Sequence, residues 1–310
     1  MQALLDAIAI AAMPTDAQRI FHGRGGLYPG SEAWTLDAYP PVWLITKFGP
    51  ISAEEQALLT AALQTRHTFI APDQPLNAVL QTRHEGRSET TVLAGSLPEP
   101  HGVTEDGAKY RVNLQRGQNH GLFLDMAEGR RWVRAHARDH KVLNLFAYTC
   151  AFSVAALQGG AKEVVNLDMA QGALTTGQQN HQQNGITSGA KFLAHDLFSS
   201  WGKVTRMGPY GLVIMDPPSF QRGSFVATKD YARLLRRLPN LLRPGGHALL
   251  CLNAPEIPES FLHDLLATEA PELELLQRLP NPTVFADASR DRALKVLLAR
   301  LPPLTERPIA

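Results

Sequence analysis

The chain has 310 residues, of which 44% are hydrophobic and 19% charged, a balance that supports a packed core and excludes a disordered protein. A net charge of +1 excludes a global basic field for nucleic acid, and two cysteines exclude a disulfide framework or a cysteine-rich metal set. No apolar run reaches the roughly 20 residues that cross a bilayer, so a soluble, cytoplasmic chain is expected, with one large domain and a smaller companion.

Met1 to Met13 is apolar, carries Asp6 and lacks a basic leader, which predicts an N-terminal helix rather than a signal peptide. His22-Gly23-Arg24-Gly25-Gly26 and Tyr28-Pro29-Gly30 read as loop. Residues 42–48 are β-branched and aromatic and predict a strand. Ser52 followed by Glu55 has the form of a capping box, opening a helix to about Gln64. Strand-like runs follow at 68–71, 77–83 and 90–94. This order predicts a small α+β subdomain, strongest over residues 40–115, and places the domain boundary at 1–114 and 115–310.

The second part alternates. Strands are expected at 141–146, 163–168, 190–193, 211–215 and 247–252. Helices are expected at 151–158, at 171–184 ending on Gly185, and at 228–242, stopped by Pro244-Gly245-Gly246. Continuous apolar strands alternating with helices indicate an α/β fold, a Rossmann-like, doubly wound and mostly parallel sheet. Ligands of such sheets lie beyond the carboxyl ends of the strands.

The strand ends carry the candidate site. The first is followed by Phe146, Tyr148 and Thr149, with Asn144 just inside it. The second ends on Asp168 and Met169, and the third is followed by Asp196 and Leu197. The fourth runs into Asp216-Pro217-Pro218-Ser219-Phe220. Asp168 stands about 20 residues past the first turn, where an acid accepts from ribose hydroxyls. Asp196 is placed to accept from an adenine amino group. A single aspartate after a strand is ordinarily a turn or helix cap, but three in succession point to a ligand. The first turn has no G-x-G-x-x-G, so a pyrophosphate cradle is missing and a dinucleotide is disfavoured. S-adenosylmethionine has no phosphate and needs none, and Asp216 suits its cationic amino and sulfonium end. Pro217 and Pro218 stiffen the backbone and remove two donors, exposing carbonyls, while Phe220 offers a ring for stacking. Such a loop suits methyl transfer to a nitrogen of a planar base.

At these residues the chain resembles the ribosomal RNA large-subunit methyltransferase I/K-like group of class I S-adenosylmethionine methyltransferases, and within it the relatives that lack an N-terminal RNA-binding PUA domain. The resemblance rests on FHGRGGLYPG (21–30), DAYPPVWLITKF (37–48), YRVNLQRGQNHGLFLDMAEGRRWVR (110–134), NLFAYTCAF (144–152), VVNLDMAQGAL (164–174), MDPPSF (215–220) and LRPGG (242–246). Residues 1–114 are expected to recognise substrate and 115–310 to bind the cofactor. The resemblance implies that Gly121, Phe123, Leu124, Asp125, Arg130 and Arg131 belong to the stretch covering the cofactor. Tyr148-Thr149 matches the group's Tyr-Thr-Gly, with Cys150 where the group has glycine.

One branch of the group methylates C5 of cytosine through a cysteine thiolate. Aligned from Gly245-Gly246, that position is Asn253 here, as in the nitrogen-methylating branch. Cys251 lies two residues earlier, about 7 Å back toward the core, and reads as a buried strand residue. The leading expectation is therefore an RNA base N-methyltransferase, using Asp216, Pro217, Pro218 and Phe220 for catalysis and Phe220, Asn253 and Arg24 for substrate. Arg130, Arg131, Arg134, Arg138 and Lys141 could contact phosphates, extended by Arg24, Arg83 and Arg87, or could form a solvated helix face. No metal is expected, because His22, His84, His101 and His120 lack ligand spacing. A methyltransferase for a protein or small molecule, and a non-catalytic S-adenosylmethionine or RNA-binding module, remain as alternatives. Homodimerisation is left open.

Overall fold

The computed structural model describes residues 1–221 and 223–304. These fall into two compact units. The first comprises Met1–Asp125 with Pro282–Arg290, and the second Met126–Asn281 with Asp291 onward. Residues 115–125 and 282–290 thus sit with the N-terminal unit, whereas the sequence assigns them to the larger domain. Local bonds explain both. Asn113 N donates to His120 O at 3.0 Å, and Tyr39 Oη donates to Leu122 O at 3.2 Å. Ala288 N donates to Gly25 O at 2.7 Å. Residues 305–310 of the expected larger domain lie outside the described residues.

The N-terminal unit contains α1 (Gln2–Ile10), β1 (Gln18–His22), β2 (Trp34–Tyr39), β3 (Val42–Lys47), α2 (Ala53–Ile70), β4 (Asn77–His84), β5 (Arg87–Ala94), β6 (His101–Glu105) and β7 (Ala108–Val112). Strands β1 to β5 form one sheet in chain order, antiparallel except for the parallel pair β3–β4 that α2 connects. The Ser52–Glu55 capping box opens α2 as predicted: Ser52 Oγ accepts from Glu55 N, and Glu55 accepts from Ser52 N. The predicted strand at 68–71 does not form. The sequence offers no glycine or proline before Pro72, so α2 runs on to Ile70 and closes with Ala71 N donating to His67 O. Strands β6 and β7 form a hairpin through Asp106-Gly107, both at positive φ, a turn signal that the sequence does carry.

The larger unit contains α3 (Ala127–His136), β8 (Lys141–Leu145), α4 (Ala151–Gln158), β9 (Glu163–Asp168), α5 (Gln171–Gln183), β10 (Ala190–Ala194), α6 (Leu197–Met207), β11 (Tyr210–Met215), β12 (Phe220–Gln221), β13 (Phe225–Val226), α7 (Ala227–Leu235), α8 (Leu238–Leu241), β14 (Leu242–Leu252), α9 (Ser260–Glu269), β15 (Glu274–Arg278) and β16 (Lys295–Arg300). The main sheet runs β10-β9-β8-β11-β14-β16-β15, parallel from β10 to β14, with β16 and β15 antiparallel. This is the doubly wound α/β class expected from the sequence. The central strands are largely apolar because both faces are covered. Leu143, Leu145, Val213 and Met215 face one buried cluster, and Val142, Leu212 and Ile214 face the other. The helix predicted over 228–242 breaks in two around Pro239, which lacks the N–H an uninterrupted helix needs and sits in the first turn of α8. Among the described residues, no helix is long and apolar enough to cross a membrane.

Candidate active site

The chain reverses its direction across the sheet between β8 and β11, which lie side by side. In an open α/β sheet this is where a crevice opens at the carboxyl edge. Register sets the level of the groups there. Leu145 pairs with both Leu167 and Met215, so Phe146, Asp168 and Asp216 each follow a matched position. The three lie at one height along the edge.

The turn after β8 is unusual. Phe146, Tyr148 and Cys150 all have positive φ, at 56°, 47° and 61°. Each left-handed non-glycine residue costs about 1 kcal/mol or more, so other interactions must hold the turn. Asp168 supplies one. Its Oδ2 accepts from Tyr148 N and its Oδ1 from Ala170 N, each at 2.8 Å. A carboxylate has about four acceptor positions, so two bonds leave capacity for ligand hydroxyls. The left-handed Cys150 also explains why glycine suits this position in the resembling group. The Cys150 side chain is fully buried and packs with Ala147 and Leu174. A Cβ on Gly177 would lie 2.5 Å from its Sγ, so the bare glycine in α5 makes room for the thiol. Burial pushes this thiol well above its ordinary pKa and keeps it protonated.

Beneath the turn runs a buried polar chain that the sequence reading missed. Asn144 Nδ2 donates to Asn166 Oδ1 at 2.9 Å, and Asn166 Nδ2 donates to Ser153 Oγ at 3.0 Å. Ser153 Oγ lies 2.8 Å from His181 Nε2, and His181 Nδ1 lies 2.7 Å from Gly177 O. A carbonyl only accepts, so Nδ1 carries the proton and Nε2 receives the Ser153 hydroxyl hydrogen. Burial holds the His181 pKa below its ordinary value, consistent with this neutral form. Asn180 Nδ2 donates to Thr149 O at 3.0 Å and ties α5 to the turn itself. The signal was present as isolated polar residues within apolar runs, Asn166 in EVVNLD and Ser153 in AFSVAALQ.

The loop after β11 is built differently. Pro217 is buried and Pro218 half-buried, and Ala227 N donates to Ser219 O at 3.0 Å. The short β12–β13 hairpin then presents Phe220 with 68% of its surface exposed. Phe225, across the hairpin, is buried, its ring 5.4 Å from that of Phe146. The two turns therefore share one aromatic contact.

The remaining expected residues divide. Met169 is exposed at the end of β9. Asp196 caps α6, its Oδ1 accepting from Ser199 N at 2.8 Å. Asn144 and Leu197 are buried and support the edge from inside the core. Asn253 is exposed just past β14, and Cys251 is fully buried two residues before it. Phe123 is exposed and Leu124 buried, both, with Asp125, at the end of the N-terminal unit. Arg130 is buried in α3, Arg131 pairs with Glu128, and Lys141 pairs with Glu163 at 2.9 Å. Arg134 and Arg138 are exposed.

A family model for S-adenosylmethionine-dependent methyltransferases matches residues 18–300. The ribosomal RNA large subunit methyltransferase I of Aeromonas salmonicida (strain A449) is 30% identical over 248 residues, 78% of this chain and 62% of its own length. The ribosomal RNA large subunit methyltransferase K/L of Psychrobacter sp. (strain PRwf-1) is 38% identical over 179 residues, 55% of this chain and 22% of its own. The chain therefore spans less than two thirds of either relative. A solved structure described as a methyltransferase complexed with SAH is similar in fold, with a TM-score of 0.80 at 24% identity, covering 96% of this chain and 78% of its own.

Proposed function

The chain belongs to the S-adenosylmethionine-dependent methyltransferases, and from this membership we propose that it methylates a ring or exocyclic nitrogen of a base in ribosomal RNA. The observation that carries the reading is the carboxyl edge of the main sheet. There Asp168 and Asp216 flank the β8–β11 switch point, and an exposed Phe220 follows the Asp216-Pro217-Pro218 loop. S-adenosylmethionine, when bound, supplies an electrophilic methyl group on a sulfonium. The left-handed turn at 146–150 and the spare acceptor capacity of Asp168 fit its uncharged ribose, and Met169 offers an apolar surface beside it. Asp216 places a negative charge where the positive amino acid end would lie.

The residues then divide the work. Phe220 stacks on the acceptor base and orients it. The stiff Pro217-Pro218 backbone presents carbonyls that accept from a base amine and hold its nitrogen in line. Asn253, exposed after β14, adds a polar contact to the base. A ring nitrogen with a free lone pair needs little acid–base assistance, so alignment and electrostatics supply most of the effect. Nitrogen is favoured over carbon because both cysteines of the chain are fully buried, and neither offers a thiolate at the edge. The two relatives named for ribosomal RNA support the substrate class. The N-terminal unit is the part we assign to substrate recognition. A cytoplasmic setting belongs to the same reading, supported by two free cysteines.

The test is transfer of tritium from methyl-labelled S-adenosylmethionine to total RNA from cells lacking this gene, with their protein extract in parallel. Label in RNA, traced to a methylated nitrogen by nuclease digestion and mass spectrometry, is expected. Label confined to protein or small molecules overturns the RNA assignment.

A further inference from the structure

The N-terminal unit carries a basic cluster of its own. The loop after β1 is shaped around Arg24. A Cβ on Gly23 would lie 1.9 Å from Ser31 O, and one on Gly25 would lie 2.3 Å from Ala286 O. The backbone is pressed inward on both sides of Arg24, and its side chain is left exposed. The Arg24 guanidinium lies 4.0 Å from the centre of the Phe48 ring. Arg83, distant in sequence, brings its guanidinium to 5.5 Å from the same ring. Arg83 is fixed there: Nε donates to Gln81 Oε1 at 2.6 Å and Nη2 to Gln118 O at 2.8 Å.

Two guanidinium groups thus approach one aromatic ring. Asp37 receives Arg19 through both oxygens, at 2.7 and 3.0 Å. Arg19 Nη1 also lies 2.8 Å from His22 Nδ1, and since arginine only donates, that nitrogen accepts. His22 therefore carries its proton on Nε2. Burial, together with the charges of Arg19 and Arg24, holds its pKa down to about 4. Burial and the charges of Arg19 and Arg24 also lower Arg83 from its ordinary value. Clustered, planar, stacked guanidinium groups are an arrangement suited to a phosphate. Tyr28 is exposed five residues past Gly23 and adds an aromatic surface to the same loop.

We propose that Arg24 and Arg83, stacked on Phe48, form a binding site in the N-terminal unit for the phosphodiester backbone of the acceptor RNA. This rests on the RNA reading above. The test uses the full chain, fluorescein-labelled single-stranded fragments of large-subunit ribosomal RNA as probe, and fluorescence anisotropy across a salt series. The variants are Arg24→Gln, Arg83→Gln, their double and the charge-keeping Arg24→Lys/Arg83→Lys. S-adenosylmethionine affinity by calorimetry reports whether each is folded.

The double glutamine variant should bind RNA about tenfold more weakly near 0.15 M salt. The slope of log affinity against log salt should shrink by about 1.4, roughly 0.7 for each lost phosphate contact. Its S-adenosylmethionine affinity should stay within twofold of wild type. The double lysine variant should keep the slope and lose part of the affinity, because it retains charge without the stacked fork. RNA bound by wild type and double glutamine variant with equal affinity and slope would refute this site while leaving the RNA reading intact. No RNA binding by the wild type would remove both. Displacement of the probe by polyglutamate as readily as by unlabelled RNA would assign the cluster to an acidic protein instead.

Discussion

The turns that follow β8 and β11 leave neighbouring strands at the same height, yet they are held in opposite ways. The first is strained, with three non-glycine residues at positive φ, and is supported from beneath by Asp168 and a buried chain of side chains. The second is stiffened by its own covalent structure, two consecutive prolines, and ends in an exposed ring. A group that must meet one ligand in a single pose benefits from support that lies outside the contact surface. A group that must admit a large acceptor benefits from a stiff loop with an open face. On the proposed function the β8 turn serves the cofactor and the β11 loop the substrate, and each role can be broken separately.

The largest effect is expected at the boundary between them. Asp216→Ala should lower methyl transfer by about 10²–10³-fold, the scale of losing one preorganised electrostatic contact, with circular dichroism unchanged. Single-turnover assays with labelled S-adenosylmethionine measure it. Transfer at the wild-type rate would remove Asp216 from the site. Next comes the support of the first turn. Gly177→Ala places a Cβ 2.5 Å from Cys150 Sγ and 3.0 Å from its Cβ. The clash should cost about 1–3 kcal/mol in urea unfolding and weaken S-adenosylmethionine binding through the displaced turn. Cys150→Gly in the same chain should restore much of both, since it removes the obstruction and relieves a left-handed residue. An additive double variant would show that the thiol does not shape the turn.

The second turn should respond without a change in stability. Phe220→Ala removes an exposed side chain, so unfolding should shift by no more than about 0.5 kcal/mol. The KM for the RNA acceptor should rise about tenfold, at the lower end of what a base–aromatic stack contributes. S-adenosylmethionine affinity should not move. A fall in cofactor affinity with an unchanged acceptor KM would exchange the two roles.

This division also explains what could be read in the sequence. The five parallel strands of the main sheet were legible because a sheet covered on both faces leaves largely apolar runs, and Asp168 and Asp216 stand where those runs stop; the antiparallel strands β15 and β16 were not read. The α+β class of the first unit was legible from the capping box at Ser52 and the runs beside it. Strands β1 and β2 were not, because 18–22 and 34–39 flank a glycine-rich loop whose close approaches arise only in three dimensions. Asn144 and Leu197 adjoin strand ends and were read with them, but side-chain direction turns both into the core. Asp196 illustrates a shared chemistry: an acid that suits an adenine amino group also suits a helix N-terminus, and here Ser199 N occupies one of its oxygens. The convergence of Arg24 and Arg83 on Phe48 joins three distant segments and leaves no local pattern.

The smallest effect expected is a pH dependence that belongs to the first turn. The buried chain requires His181 neutral, with Nε2 accepting from Ser153. Protonation would make both ring nitrogens donors, and Ser153 Oγ would then face donors from both His181 and Asn166. Burial lowers the folded-state pKa below the imidazole value of 6.5. A lowered folded pKa means the unfolded chain takes up the proton first. The stabilisation is complete above pH 6.5 and is lost as pH falls through the folded value. His22, held at about 4 in the N-terminal unit, acts in the same direction over the window from 6.5 to 4. The thermal midpoint should therefore drop by a few degrees between pH 7 and 5, and S-adenosylmethionine affinity should drop with it. Ser153→Ala removes the hydroxyl whose hydrogen loses its acceptor when His181 is protonated, so its cofactor affinity should start lower and change less with acid. The Phe220→Ala variant should follow the wild-type pH profile, because nothing in the β11 loop depends on that proton. A wild-type profile flat from pH 7 to 5 would mean that the turn does not depend on neutral His181.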